Sequence, residues 1–204
     1  MKQKIEEFLR PIALSLVSFG FDPRKLFALR FYFRFRRQRS EWLRQGGKIS
    51  KNHRILTDFT LSAGTASGHY FHQDLLVAGF IHKANPTRHI DIGSRIDGFV
   101  AHVAAFRKIE VMDIRDLVIR QHANISFLKQ DLMQIKGKFE KTDSLSCLHA
   151  IEHFGLGRYN DPIDVDGHNK GISNLVDLVA LGGLMYISFP IGENDEVHFN
   201  AHRV

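Results

Sequence analysis

Asp113 follows Gly93 by twenty residues, and that interval carries the clearest chemistry in this chain. Gly93 sits in His89-Ile90-Asp91-Ile92-Gly93-Ser94-Arg95-Ile96-Asp97-Gly98, where apolar residues flank an acid and two glycines follow. Ile109-Glu110-Val111-Met112-Asp113 reads as a short strand ending in a carboxylate. Strand, glycine turn, helix, strand and acid make a nucleotide-binding βαβ arrangement. Glycine lets the backbone come close to a ligand, and the acid accepts hydrogen bonds from ribose hydroxyls. The Gly-x-Gly-x-x-Gly pattern is absent, because Ser94 and Arg95 follow Gly93 and only Gly98 closes the turn. The turn therefore suits a nucleoside without phosphates better than a pyrophosphate, which disfavours a nicotinamide enzyme. An ordinary βα turn that binds nothing stays open as the plainer reading.

A second reactive group is His149, Glu152 and His153. On a helix starting at His149 the three share one face, and a histidine there, His153 first, suits a general base near neutral pH. The plainer reading has Glu152 and His153 capping or pairing within a loop. Asp161, Asp164, Asp166 and His168 alternate oxygen donors with a glycine, and His198 and His202 lie in the tail. Their spacing does not match the calcium-binding helix-loop-helix pattern. A polar loop is the preferred reading, so no metal ligand is assigned. Arg95 and Arg158 either hold an anionic acceptor or are solvated. Cys147 lies in an apolar run, where a buried, inert thiol is the usual state. One cysteine in 204 residues excludes an intramolecular disulfide and fits a reducing, cytoplasmic setting.

The elements that would position these groups alternate. Tyr70 to His82 reads as a helix, 89–92 as a strand, Phe99 to Phe106 as a helix, and 109–113 as a strand. Ile125 to Leu128 and Ser144 to Leu148 read as further strands, with Asp131 just past the first and Asp143 just before the second. A polar loop is expected from Gly155 to Gly171, a helix from Asn174 to Leu181 capped by Gly182-Gly183, and a fifth strand over 184–189. Such alternation argues for a parallel sheet with ligands at the carboxyl ends of the strands.

The net charge of +6 is uneven: residues 1–60 hold 14 Lys and Arg against 5 Asp and Glu, and the remainder holds 14 against 17. The basicity belongs to residues 1–65, read as a helical extension, and the α/β domain is placed at 66–204. Residues 2–19 read as one helix of the extension. Residues 24–45 carry six aromatic side chains among eight cations, and Arg30, Arg34 and Arg37 form one helical stripe. An anionic membrane surface fits this segment, a nucleic acid fits it less well, and a helix packed on the main domain is the plainer reading. Phe31, Phe33 and Phe35 also alternate as in a short strand. The apolar run Ile12 to Phe19 is too short to span a membrane, and Glu6 and Glu7 ahead of it argue against a signal peptide.

From residue 89 to residue 190 the chain resembles class I S-adenosylmethionine-dependent methyltransferases. Asp91 to Gly98 resembles the family's first motif without its middle glycine, and Asp143 to His153 resembles the fourth. The resemblance implies a Rossmann-like, mostly parallel sheet with helices on both faces. It implies that Asp91, Gly93, Ser94 and Gly98 form the cofactor turn, that Asp113 takes the ribose, and that Asp131 takes the adenine. His149, Glu152 and His153 would then face a small-molecule or carbohydrate acceptor. More narrowly, the Asp91–Arg95, His149–Tyr159 and Phe199–Val204 segments are similar to a methyltransferase-like family of unknown function from nematodes and bacteria. The methyltransferase sheet ends in an antiparallel hairpin, for which the fourteen residues after Pro190 are few. The expectation is a smaller sheet or a shortened chain. Two other function classes stay open: a non-catalytic binding or scaffold module on the same fold, and a metal-dependent enzyme built on Asp164, Asp166, His168, His198 and His202.

Overall fold

A computed structural model describes residues 23–118, 122–135 and 139–204, so the expected helix over 2–19 lies outside the described residues. The chain divides into two units, Met1–Thr65 and Ala66–Val204. In the first, Pro23–Phe31 forms a tight helical segment that runs into α1 (Tyr32–Arg44). The expected helix over 24–45 forms, and the alternating phenylalanines make no strand. Helical bonding, tighter over Pro23–Phe31 and α-helical from Tyr32, outweighs the two-residue alternation when the intervening positions are long, helix-favouring arginines. Phe31 packs on Phe59, whose ring also lies under the Arg34 guanidinium at 4.7 Å. Among the described residues no helix is long and apolar enough to cross a membrane.

The second unit is built on five parallel strands. They are β1 (His89–Ile92), β2 (Ile109–Asp113), β3 (Ile125–Lys129), β4 (Thr142–Leu148) and β5 (Val179–Ser188), ordered β3-β2-β1-β4-β5. This is the order of a doubly wound Rossmann-like sheet, whose direction of winding reverses between β1 and β4. Ile90 pairs with Glu110 on one side and Leu145 on the other, so the strand beneath the reversal is fully enclosed. Helix α2 (His69–Ala84) lays Val77, Ala78 and Ile81 on one face of the sheet, together with Val103 and Ala104 of the short helix α3 (Ala101–Ala104). Leu175 and Leu178 of α4 (Gly167–Leu178) cover Ile90, Ile92, Leu145 and Cys147 on the other face. α2 ends where Asn85 turns left-handed and returns its N–H to the Ile81 carbonyl.

Two boundaries differ from expectation. Helix α4 starts at Gly167, seven residues before the expected Asn174. Gly167 and Gly171 read as loop formers but face inward, one turn above Leu175. A Cβ on Gly171 would lie 2.6 Å from the Phe154 ring, so the absence of a side chain is what allows this helix to pack closely. The helix then stops at Leu178 without the Gly182-Gly183 cap. Val179 is already extended and pairs with Thr142, whereas the next pairing is Ser144 with Leu184. β5 advances five residues while β4 advances two, and the glycines form the resulting bulge, with Gly182 at φ +81°. The described sheet ends at β5. The tail forms a separate antiparallel hairpin, β6 (Val197–His198) with β7 (His202–Arg203).

The face of β1 and β4 under α3 carries a polar chain within the core. His89 is 1% exposed, with Nδ1 2.8 Å from Ser144 Oγ and Nε2 3.2 Å from Ser146 Oγ. Ser146 donates to Asp91 at 2.5 Å, so it accepts from the Nε2–H of His89. Burial keeps the imidazole neutral and pushes its pKa down to about 3. Below about 6.5 the unfolded chain takes up a proton that the fold refuses. This stability is therefore complete above pH 6.5 and is lost as pH falls towards 3. Asp91, pushed up to about 6 by burial, acts in the opposite sense: its contribution is complete below about 4 and is lost as pH rises through 6. The histidine shift is the larger. Urea unfolding should show a midpoint that falls from pH 7 to pH 4 in the wild type and falls less in His89→Gln. Parallel profiles would contradict the assignment.

Candidate active site

The carboxyl ends of β1, β2, β3 and β4 open into one cleft of about 820 Å³, within the usual range for small-molecule pockets. It lies where strand order reverses, as expected of a doubly wound sheet.

The turn after β1 forms its floor. Gly93 has φ +75°, and an added Cβ would meet Ala150 at 2.9 Å. Asp91 is fully buried beneath the turn and accepts from Ser94 N at 3.1 Å and Ser94 Oγ at 2.9 Å. Arg95 thus stands where the familiar pattern has its middle glycine, and the Ser94 hydroxyl locks the bend onto Asp91. Asp91 shapes the turn from below and, unlike the other expected cofactor residues, does not line the cleft. Gly98, at φ −121° and ψ −115°, closes the turn, and its carbonyl accepts from His102 Nδ1 at 2.8 Å.

Asp113 ends β2 at the cleft wall. Arg115 donates to both of its oxygens: Nε lies 2.9 Å from Oδ1 and Nη2 lies 2.5 Å from Oδ2. The same Nη2 reaches the Gly93 carbonyl at 3.2 Å, and the guanidinium lies 4.6 Å over the Tyr159 ring. Asp131, after β3, turns the chain by accepting from Met133 N at 2.8 Å, and it lines the same cleft.

The opposite wall comes from the end of β4 and the N-terminal turns of α2. His149 is left-handed at φ +51°, so the expected helix starting there does not form; a single tight turn, Ile151–His153, replaces it. The backbone N–H of His149 is still tied to Ser188 across the sheet, and this forces the bend before any helix can start. The turn nevertheless gathers the three side chains. His149 Nδ1 is 3.2 Å from Glu152 Oε1, and His153 Nε2 is 3.8 Å from that oxygen. With a carboxylate as acceptor, Nδ1 of His149 carries the proton and Nε2 is its basic nitrogen. His153 instead donates from Nδ1 to the Ala201 carbonyl at 2.5 Å, and burial lowers its pKa. The rings of His69 and Tyr70 pack against His149 at tilted angles, with centroids 5.1 Å and 4.6 Å away.

The tail hairpin closes this side. Arg203 donates to the Phe154 carbonyl at 2.6 Å, and Arg158 to the Ala201 carbonyl at 3.2 Å. His202 joins the lining, while His198 meets His202 edge-on and hydrogen-bonds Glu196. Asp164 is engaged by Lys170 at 2.6 Å and Asp166 by Asn169 at 2.7 Å. Among the described residues no group of three or more His, Cys, Asp or Glu side chains is placed to hold a metal ion. Cys147 is buried and its thiol is pushed up by burial, which leaves it no role as a nucleophile.

Of the residues singled out from sequence, Gly93, Ser94, Gly98, Asp113, Asp131, His149, Glu152 and His153 all line this one cleft. Sequence reasoning missed Arg115, Tyr159, Tyr70 and Gln73. Tyr70 and Gln73 sit three apart on one helix face, but that spacing is also that of a core stripe.

No curated protein matches the chain. The methyltransferase domain of a bacterial Hen1 is similar at 17% identity and TM-score 0.40, over 50% of this chain and 57% of that one. An O-methyltransferase family protein from Burkholderia thailandensis is similar at 16% identity and TM-score 0.42, over 57% of this chain and 36% of that one. Magnesium protoporphyrin IX methyltransferase from Synechocystis PCC 6803, solved with S-adenosylhomocysteine, is similar at 16% identity and TM-score 0.40, over 76% and 68%. The chain thus spans less than two thirds of the first two structures. Strand order and register, not these scores, define the fold. At the level of sequence families, the model described as "Caenorhabditis protein of unknown function, DUF268" matches residues 101–204, just over half of the chain, and the chain belongs to that family.

Proposed function

We propose that this chain binds S-adenosylmethionine and catalyses transfer of its methyl group to a small molecule or carbohydrate. The observation that carries the reading is the pairing, across one cleft, of the tight Gly93–Ser94 turn with the Asp113 carboxylate at the end of the adjacent strand. The residues fit such a cofactor. A Cβ at Gly93 would meet Ala150 at 2.9 Å, Asp113 presents two acceptor oxygens, and the basic side chains at the turn are both paired, Arg95 with Asp97 and Arg115 with Asp113. Asp113 would accept the ribose hydroxyls in place of the Arg115 N–H groups it now holds, with the guanidinium left over the Tyr159 ring. Asp131 stands beyond β3 for the adenine amino group.

When bound, the cofactor supplies an electrophilic methyl group on a sulfonium, so the protein has to align an acceptor and remove its proton. His149 is the base in this reading. Glu152 fixes the imidazole by its Nδ1–H and leaves Nε2 for the acceptor, whereas the corresponding nitrogen of His153 faces Glu152. Thermal unfolding with S-adenosylmethionine at about a hundred times its dissociation constant tests the reading. Mass action then stabilises the fold by about 2.7 kcal/mol, a rise in Tm of roughly 5 °C or more. No rise with either the cofactor or its demethylated product would sink it.

A further inference from the structure

Glu152 and Gln73 both line the cleft, and each carries a polar atom, Oε2 and Nε2, that is shielded from solvent and has no hydrogen-bond partner among the described residues. Glu152 is 5% exposed, and its other oxygen already serves His149. Buried polar atoms are seldom left unpaired, and in a cleft wall a water or a ligand completes them. One of these atoms only accepts and the other only donates. A protonated amine satisfies the glutamate and leaves the amide without an acceptor. A carboxylate or phosphate satisfies the amide and meets the glutamate charge. A hydroxyl both donates and accepts, and adjacent hydroxyls satisfy the pair together.

The surroundings agree. Gln73 stands on the face of α2 that carries His69 and Tyr70, whose rings pack at tilted angles against each other and against His149. Of the arginines near the cleft mouth, Arg158 is engaged by the Ala201 carbonyl and the Tyr159 ring, and Arg115 lies over the same ring.

We infer that this wall is the acceptor subsite and that it takes a neutral polyhydroxylic compound, a sugar or a cyclic polyol, held between Glu152 and Gln73. The inference rests on the methyltransferase reading. In the transfer, the acceptor oxygen bonds to the methyl carbon as the carbon–sulfur bond breaks. That bond's electron pair remains on sulfur as a thioether, and the hydroxyl proton passes to Nε2 of His149. Gln73 and the second oxygen of Glu152 position the ring and exchange no proton.

Calorimetry on the full chain separates the two layers. S-Adenosylhomocysteine is titrated first; absence of binding overturns the methyltransferase reading and this inference with it. The saturated protein is then titrated with glucose, galactose, mannose and myo-inositol, and with glucosamine and glucuronate as charged counterparts. The expected result is that a neutral compound binds at least tenfold tighter than either charged one. Gln73→Leu should lower its affinity at least tenfold, and Gln73→Glu, which makes both atoms acceptors, should shift preference to protonated glucosamine. Circular dichroism checks that both variants fold. Three results would overturn the inference while leaving cofactor binding intact: no neutral compound binds, a charged counterpart binds best, or the Gln73 variants lose S-adenosylhomocysteine rather than the sugar. The last would assign the orphan pair to the amino-acid end of the cofactor.

Discussion

Asp113→Ala should reduce affinity for S-adenosylhomocysteine by at least a hundredfold. The carboxylate is the one charged acceptor at the end of β2, and hydrogen bonds to a charged group contribute about 1.5–3 kcal/mol each. Losing two of them removes roughly 3 kcal/mol or more, beyond the 1.4 kcal/mol that corresponds to each tenfold change. The fold itself should tolerate the change. Arg115, the present partner, is 42% exposed and returns to water, so the ion pair contributes at most about 1 kcal/mol to stability. Calorimetry and urea unfolding on the same samples separate these effects. Binding retained within threefold in the variant would show that Asp113 is not the ribose acceptor.

The second large effect is structural and falls on the cleft wall built by the end of β4. Gly155→Ala should cost about 3 kcal/mol in urea unfolding, combining a left-handed backbone with overpacking. Gly155 has φ +76°, and an added Cβ would lie 2.0 Å from the Asp164 carbonyl oxygen, which is backbone and has no room to yield. Gly182→Ala is the control. It shares the left-handed conformation at φ +81° but has nothing within 4 Å of the added carbon, so about 1 kcal/mol is expected. Equal losses in the two variants would show that backbone strain alone matters at Gly155. Because Gly155 directly follows the turn that holds Glu152 and His153, its variant should also weaken whatever binds there.

The order of elements around the cofactor turn was legible because parallel strands enclosed on both faces read as short apolar runs. Ile90, Ile92, Val111 and Leu145 announce β1, β2 and β4 whatever surrounds them. Acids placed at strand ends, Asp113 and Asp131, come to the cleft because the sheet directs every strand's carboxyl end there. What escaped were positions decided by partners far away in sequence. His149 takes a left-handed turn because its N–H stays tied to Ser188, and nothing in His-Ala-Ile-Glu-His records that bond. Gly167 and Gly171 carry the composition of a loop but serve a close helix contact with Met133 and Phe154. The bulge at Gly182 depends on a register shift between two strands. Arg115 lies two residues past Asp113, a spacing that marks nothing until the turn folds the guanidinium back. The same blindness hid Gln73, since an amide on a helix face otherwise facing the core says nothing until its atoms lack partners.

The central claim is that the Gly93–Ser94 turn and Asp113 together hold a nucleoside that carries no phosphates. Titrating the wild-type chain with S-adenosylhomocysteine and, separately, with NAD tests it most directly. Micromolar binding of S-adenosylhomocysteine with no detectable NAD binding is the predicted result. Tighter binding of NAD, or no binding of S-adenosylhomocysteine by folded protein, would contradict the account.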